Sequence, residues 1–312
     1  MQDPPPMIIV DSLPKGSRLI FQDSTFFTRN GPEATFPSAD QVRAKSEAGD
    51  HVLDRKNTVI FESLDLVVKF GKEPRVTIAE GQCLWWLHRH LPRVPVPEIY
   101  GWIEDEAEVF LYMQLAEGVT LEKRWDSLGR EDKVGVCEQL RDIAVELRQV
   151  KRDPDDEFLG QINRGPLQDV VFADGIRPRA GPFSSVKEFH DWFSFLFERL
   201  AANGPHSEEH KVEDVPDPYR QLLQDKPDVV FTHADLHRSN IMVSEGSPCR
   251  VVAVIDWHQS GWYPDYWEFY KAEYTNHWES EWVQEYIPMF LEEPREMFTE
   301  GIDSYASSWG FM

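Results

Sequence analysis

The sequence predicts an α+β fold, and three observations carry that expectation. Four runs rich in Val, Ile, Phe and Tyr between residues 58 and 114, TVIF, LDLVVKF, PEIYGWI and EVFLYMQ, read as strands. Beyond residue 116 the pattern lengthens to a helical period, first in REDKVGVCEQLRDIAVELRQV and then in SSVKEFHDWFSFLFERL. Between those helices and the C-terminus, two apolar runs enclose the polar string HADLHRSN and end in IDW. With 312 residues the chain can bury a sizeable core, as one large domain or as two lobes.

In chain order, MQDPPPMIIVDSLPKG lacks the basic start and apolar run of a secretory signal, and its PPP favours an extended start. RLIFQDSTFFTR, residues 18 to 29, is expected to give one or two short strands, and PSADQVRAKS a helix with a serine cap. In TVIFESLDLVVKFGK, two β-prone runs around SLD make a hairpin whose second strand carries Lys69. RVTIAEGQCLWWLHRHL is amphipathic, with Ile78, Leu84, Trp85 and Leu87 available to pack, and it carries Glu80. Two further strands follow, about PEIYGWI and EVFLYMQ, with a helix starting after Gly118. Val136, Leu140, Ile143, Leu147 and Val150 mark a core helix. GQINRGPLQDVVFADGIRPRAGPF is a long Gly- and Pro-rich loop, a candidate substrate lid, and the helix after it is capped by Ser184 or Ser185. HSEEHKVEDVPD is a charged linker with two solvated histidines.

Composition narrows the partners. The 55 acidic residues against 32 basic ones give a formal charge of −23, which opposes binding to nucleic acid or anionic membrane. The same charge favours approach of a cationic small molecule, although solubility alone would account for it. Cys83, Cys137 and Cys249 are scattered and lack metal-ligand spacing, as in a reducing compartment. No run of about twenty apolar residues occurs, so a cytoplasmic protein is expected. Nothing in the sequence speaks to oligomeric state.

The chemistry concentrates in FTHADLHRSNIMVSEGSPCRVVAVIDW, residues 231 to 257. CRVVAVIDW suits a buried strand with Asp256 at its end, and IMV can pair with it across the turn SEGSPC. Asn240 and Asp256 then emerge together, offering an amide oxygen and a carboxylate to a hard cation such as Mg2+, which takes its other ligands from water and phosphate. Asp235, one loop earlier, faces a substrate hydroxyl. That division of labour suits phosphoryl transfer, in which the protein mainly positions reactants and neutralises charge.

HADLHRSN followed by IDW resembles the catalytic and metal-binding segments of the aminoglycoside phosphotransferase and choline kinase branch of the protein-kinase-like fold. IDWHQSGWYPDYWEFYKAEY resembles a fungal subgroup of that branch. The resemblance implies a small β-rich lobe at residues 50–115 and a larger, mostly helical lobe at 116–312, after an N-terminal extension at 1–49. It implies ATP as cofactor alongside Mg2+, with Lys69 on the α- and β-phosphates, Glu80 holding Lys69, and Asp235 as catalytic base. Met113 would line the adenine pocket, and backbone groups of Gln114 and Ala116 would bond the adenine edge.

Asp265 and Glu268 are placed to face a cationic substrate, with Trp262, Tyr263 or Trp267 offering ring faces or simply packing. His258 stands where the subgroup often carries an acidic residue. GDHVLDRKNT, where a nucleotide-covering loop should lie, has the single glycine Gly49. The implied reaction is transfer of the γ-phosphoryl group of ATP to a hydroxyl of a small molecule. Two other readings stay open: a nucleotide-binding module without transfer, which the glycine-poor loop would suit, and nucleotidyl transfer, which would keep Asn240 and Asp256.

Overall fold

Lys69 sits in a six-stranded antiparallel sheet. The computed structural model describes residues 4–49, 51–52, 55–171, 179–202, 216–294 and 296–308. The first elements are β1 (Met7–Ile8), β2 (Arg18–Ile20), α1 (Thr25–Asn30), α2 (Ala39–Glu47), β3 (His51–Val52), β4 (Arg55–Phe61), β5 (Leu66–Lys72), α3 (Ile78–His90), β6 (Ile99–Asp105) and β7 (Glu108–Gln114). The sheet runs in the order β2-β6-β7-β5-β4-β3. Its period of two gives two apolar faces. Val59, Val68, Tyr100, Phe110 and Tyr112 form a core with Phe26 and Phe27 of α1 and Val42 of α2. On the other face, Trp102 and Leu111 lie so close beneath α3 that a side chain at Gly81 would meet both.

Residues 18 to 29 therefore give one of the one or two expected strands, β2, and then the helix α1. Phe26 and Phe27 are adjacent and both buried, which a helix permits and an alternating strand does not. The N-terminal stretch is also no appendage. β2 is an edge strand of the sheet, and a side chain at Gly101 of β6 would collide with the Leu19 carbonyl. Ser38 caps α2 in a full capping box with Gln41, as its sequence suggests.

The rest of the chain builds β8 (Val119–Thr120), α4 (Leu121–Arg124), α5 (Arg130–Gln149), β9 (Lys151–Arg152), α6 (Val186–Ala202), β10 (Val229–Thr232), β11 (Ile241–Val243), β12 (Val251–Val254), β13 (Gly261–Pro264), α7 (Trp267–Tyr274), α8 (Ile287–Phe290) and α9 (Glu296–Ser308). The expected face of α5 is buried, and Val150 with it. Ser185, not Ser184, accepts the Glu188 N–H as the α6 cap. Phe189 and Phe193 of α6 pack with Tyr263, Trp267 and Tyr270.

The structure adds three local details. Gly118 leads into β8 before any helix, because β8 pairs with β11. Gly261–Pro264, within the stretch from which Trp262 and Tyr263 were to offer ring faces or pack, is a strand paired with β10. Val252 of β12 is 37% exposed, so that strand is buried on one face only. The long loop is tied by the pairs Leu159–Phe183 and Leu167–Ala180. Residues 172–178 of that candidate lid, residues 50, 53 and 54 of the nucleotide-covering stretch, and most of the charged linker with His206 and His210 lie outside the described residues. Among the described residues no helix is long and apolar enough to cross a membrane.

Candidate active site

β10 delivers His233, Ala234 and Asp235, and a 3₁₀ turn, Arg238–Asn240, leads into β11. Ile241 pairs with Val254, and the Ile255 N–H donates to the Asn240 carbonyl at 2.9 Å. Asn240 and Asp256 therefore leave one end of a single hairpin side by side. The Asn240 Nδ2 donates to the Asp235 backbone carbonyl at 2.9 Å and to its Oδ2 at 2.8 Å. That orients the amide with its oxygen turned from Asp235.

Two residues here hold left-handed backbone: Ala234 at φ 64° and Asp256 at φ 66°. Such strain persists only where surroundings enforce it, and here they are identifiable. Glu268 of α7 is buried and accepts the His233 N–H at 2.7 Å and the Ala234 N–H at 3.0 Å. The Asp235 N–H donates to His233 Nδ1 at 3.1 Å, while His233 Nε2 lies 3.2 Å from the Ile255 carbonyl. The ring is thus the Nε2–H tautomer, and burial holds its pKa below the ordinary value. Burial also pushes the Glu268 carboxyl up to about 7, against the lowering effect of its two N–H donors.

Glu268 is consequently not a substrate-facing carboxylate. It supports the backbone ahead of Asp235, a role without sequence signal because its partners lie 34 and 35 residues away. Asp265 fails as a substrate contact for a different reason. Thr232, next to the loop, pairs with Gly261, so Asp265 lies four residues further along, roughly 13 Å at strand spacing. It borders a separate cleft with Arg148, Asp228 and Glu293. Trp262, Tyr263 and Trp267 are at most 1% exposed and serve packing.

Lys69 is buried on the α3 face of β5 and does not face solvent. Its Nζ lies 2.8 Å from both Glu80 oxygens and 2.7 Å from Asp256 Oδ1. Burial by itself would lower the Lys69 pKa, but the Asp256 and Glu80 carboxylates outweigh it and hold the ammonium above its ordinary value. Thr77 caps α3 and accepts the Glu80 N–H, which fixes Glu80 in the first turn.

Beside this triad lies a cavity of about 340 Å³. Lys69, Glu80 and Asp256 line it together with Met113, Gln114 and Ala116. The Gln114 N–H is engaged by the Glu98 carbonyl at 2.9 Å, whereas the Ala116 N–H makes no backbone hydrogen bond among the described residues. Met242 and Ile255 add apolar wall that sequence reading missed. Both flank the polar ends of the β11–β12 hairpin, so the period of two could have found them. His258 meets the Pro74 carbonyl and accepts the Gln161 side-chain N–H through its own carbonyl, joining the turn after Asp256 to the long loop.

A further network was not legible at all. Lys271 and Asp169, both fully buried, pair at 2.9 Å. Asp169 also accepts the Trp267 indole N–H at 2.8 Å, and Gln259, 3.3 Å from Lys271, accepts the Val170 N–H at 3.0 Å. The loop is thereby pinned to the turn that follows Asp256.

Among the described residues no cluster of three or more His, Cys, Asp or Glu could hold a metal. One carboxylate and one amide oxygen at a hairpin end nevertheless fit Mg2+, which keeps several waters and binds few protein oxygens alongside substrate phosphate.

No curated protein matches the chain. Among solved structures it is similar to an aminoglycoside-3'-phosphotransferase of type VIII, at 17% identity over 78% of each chain, with a TM-score of 0.43. It is also similar to APH(2")-IIa in a complex with gentamicin, at 13% identity over 89% of this chain and 100% of that one, with a TM-score of 0.46. A third similarity is to aminoglycoside phosphotransferase APH(3'')-Id from Streptomyces rimosus with ADP and streptomycin, at 15% identity, covering 80% and 82%, with a TM-score of 0.40. Residues 54–306 match the model of the phosphotransferase enzyme family, and the chain, with its α+β fold, belongs to that family.

Proposed function

We propose that the protein transfers the γ-phosphoryl group of ATP to a hydroxyl of a small molecule. The observation that carries this reading is the convergence of Lys69, Glu80 and Asp256 on one cavity wall, beside an Asp235 whose carboxylate is oriented by Asn240. In this reading Lys69 holds the α- and β-phosphates and Glu80 keeps it aimed at them. Met113 lines the adenine pocket, and backbone groups of Gln114 and Ala116 bond the adenine edge. Asn240 and Asp256 hold Mg2+, which when bound neutralises charge developing on the phosphates. Asp235 orients the acceptor hydroxyl and takes its proton late in transfer.

The lobes 50–115 and 116–312 would then meet at this cavity, with residues 114–116 as the hinge. For the acceptor we assign the neighbouring cavity of about 440 Å³ lined by Thr77, Gln161, Asn163, Gln168 and Arg179. Pro74 and Gln161 on its wall both touch His258, two residues from Asp256. The excess of acidic residues favours an amine-bearing acceptor, and the three free, buried cysteines suit a cytoplasmic setting.

The test is thermal shift with ATP, with and without Mg2+, followed by product analysis over a panel of hydroxylated amines. Mg2+-dependent stabilisation and a phosphorylated product are expected. ATP binding without any phosphorylated product would remove the transfer reading, and an adenylylated product would replace it with nucleotidyl transfer.

A further inference from the structure

The turn that carries Asn240 has a support from the far end of the chain. Arg238 opens that turn, and its guanidinium carbon lies 5.6 Å from the ring centroid of Trp125 and 5.8 Å from that of Trp282. The two indoles meet edge to face at 4.9 Å and 83°, so the cation occupies the corner between them. Both rings are buried. Trp125 follows α4, whereas Trp282 begins a π-helical turn, Trp282–Tyr286. Glu281, the nearby carboxylate, is engaged elsewhere: it accepts the Trp125 indole N–H at 2.7 Å and pairs with Lys133. The Arg238 Nε is buried and has no hydrogen-bond partner among the described residues. Among the described residues Arg238 forms no ion pair within 4 Å, and its charge acts on the Glu281 carboxylate only from a longer distance, so the two ring faces are its nearest support. A planar, weakly hydrated guanidinium is the cation suited to such a corner.

We propose that Arg238 is a positioning residue: lodged between Trp125 and Trp282, it fixes the turn that presents Asn240 and so sets the affinity of the site for Mg2+-bound ATP. The lever is short. The Asn240 N–H donates to the His237 carbonyl at 2.8 Å, and the Asn240 side chain bonds Asp235, so a shift of Arg238 displaces both. The inference rests on the assignment of Asn240 and Asp256 to the metal.

The experiment is calorimetric titration of the full chain with ATP over a series of Mg2+ concentrations. Arg238→Met keeps the length of the side chain and removes the cation. It should need about tenfold more Mg2+ for half-maximal ATP binding while ATP affinity without Mg2+ stays unchanged. Arg238→Lys should recover part of that loss, which a merely space-filling role would not produce. Trp282→Phe, a conservative change that keeps an aromatic face, covers the case in which Arg238→Met does not fold, and should raise the Mg2+ requirement about threefold. An Arg238→Met or Trp282→Phe protein that folds cooperatively and keeps the wild-type Mg2+ midpoint overturns the proposal. Wild-type protein without Mg2+-dependent ATP binding overturns instead the functional reading on which it stands.

Discussion

Asp235 owes its orientation to contacts made by its neighbours: the His233 ring accepts its N–H, Asn240 donates to its carboxylate, and Glu268 holds the two residues ahead of it. Asn at position 235 would keep the shape and lose the charge. Turnover of Asp235→Asn should fall by about 10²–10⁴-fold with ATP affinity retained. Steady-state kinetics with any identified acceptor checks this, and turnover within a few-fold of wild type would take Asp235 out of the mechanism. Lys69 is a different case, because two carboxylates depend on it. Removing the ammonium leaves Glu80, 2% exposed, without its cation. Lys69→Met should lose ATP binding and about 3 kcal/mol of stability. Adding Glu80→Gln should restore most of the stability and none of the binding. If the double variant is no more stable than the single one in urea unfolding, the pair is not what the destabilisation reports.

At the scale of elements, the site depends on one short strand. β8 joins the stretch at residues 114–116 to the β11–β12 hairpin, and it can do so only because Gly118, at φ 87°, turns tightly onto that hairpin. A side chain there would land on the Val243 carbonyl. Gly118→Ala should cost about 2–3 kcal/mol, from a left-handed backbone and a displaced strand together. ATP affinity should fall with it, since the cavity includes Gly118, Val119 and Met242. Denaturant midpoints and ATP titration read both effects, and a change below about 0.5 kcal/mol would mean that β8 gives way freely. The elements around the loop that holds Asp235 were legible for the opposite reason: His233 to Asp256 is local in sequence, and its strands and turn are set by β-prone runs and by SEGSPC.

For the whole molecule, two buried groups tilt stability in opposite directions with pH. Burial pushes the His190 pKa down to about 4, so the fold carries a neutral ring bonded to Asp225 and Tyr266. An unfolded histidine takes up a proton near pH 6.5, so this contribution, about 3 kcal/mol, is lost as pH falls from 6.5 toward 4. Glu268 behaves inversely. Its carboxyl titrates near 7 when folded and at 4.5 as an ordinary glutamate, so the folded state binds the extra proton and stability is lost as pH rises from 4.5 toward 7. Glu268→Gln removes only the second slope. Relative to wild type, this variant should therefore gain stability between pH 5 and pH 7, by an amount on the order of 2 kcal/mol. Urea unfolding of both proteins at the two pH values measures it, and a pH-independent difference would show that Glu268 does not titrate in this window.

The sequence by itself determined the α+β class, the hairpin that carries Lys69, the helix that carries Glu80, and the loop from Asp235 to Asp256. Each of these is written in the spacing of neighbouring residues, where strand and helix periods and turn chemistry act. Only the tertiary structure decided that residues 18 to 47 supply an edge strand and a covered face of the sheet. It alone showed that Asp265 lies away from the loop that holds Asp235, that Glu268 braces that loop, and that Asp169 and Lys271 pair in the core. Those outcomes turn on which distant segments meet. Asp169 and Lys271 are 102 residues apart and Arg238 and Trp125 more than a hundred, so no local pattern in the chain records that burial has brought them together.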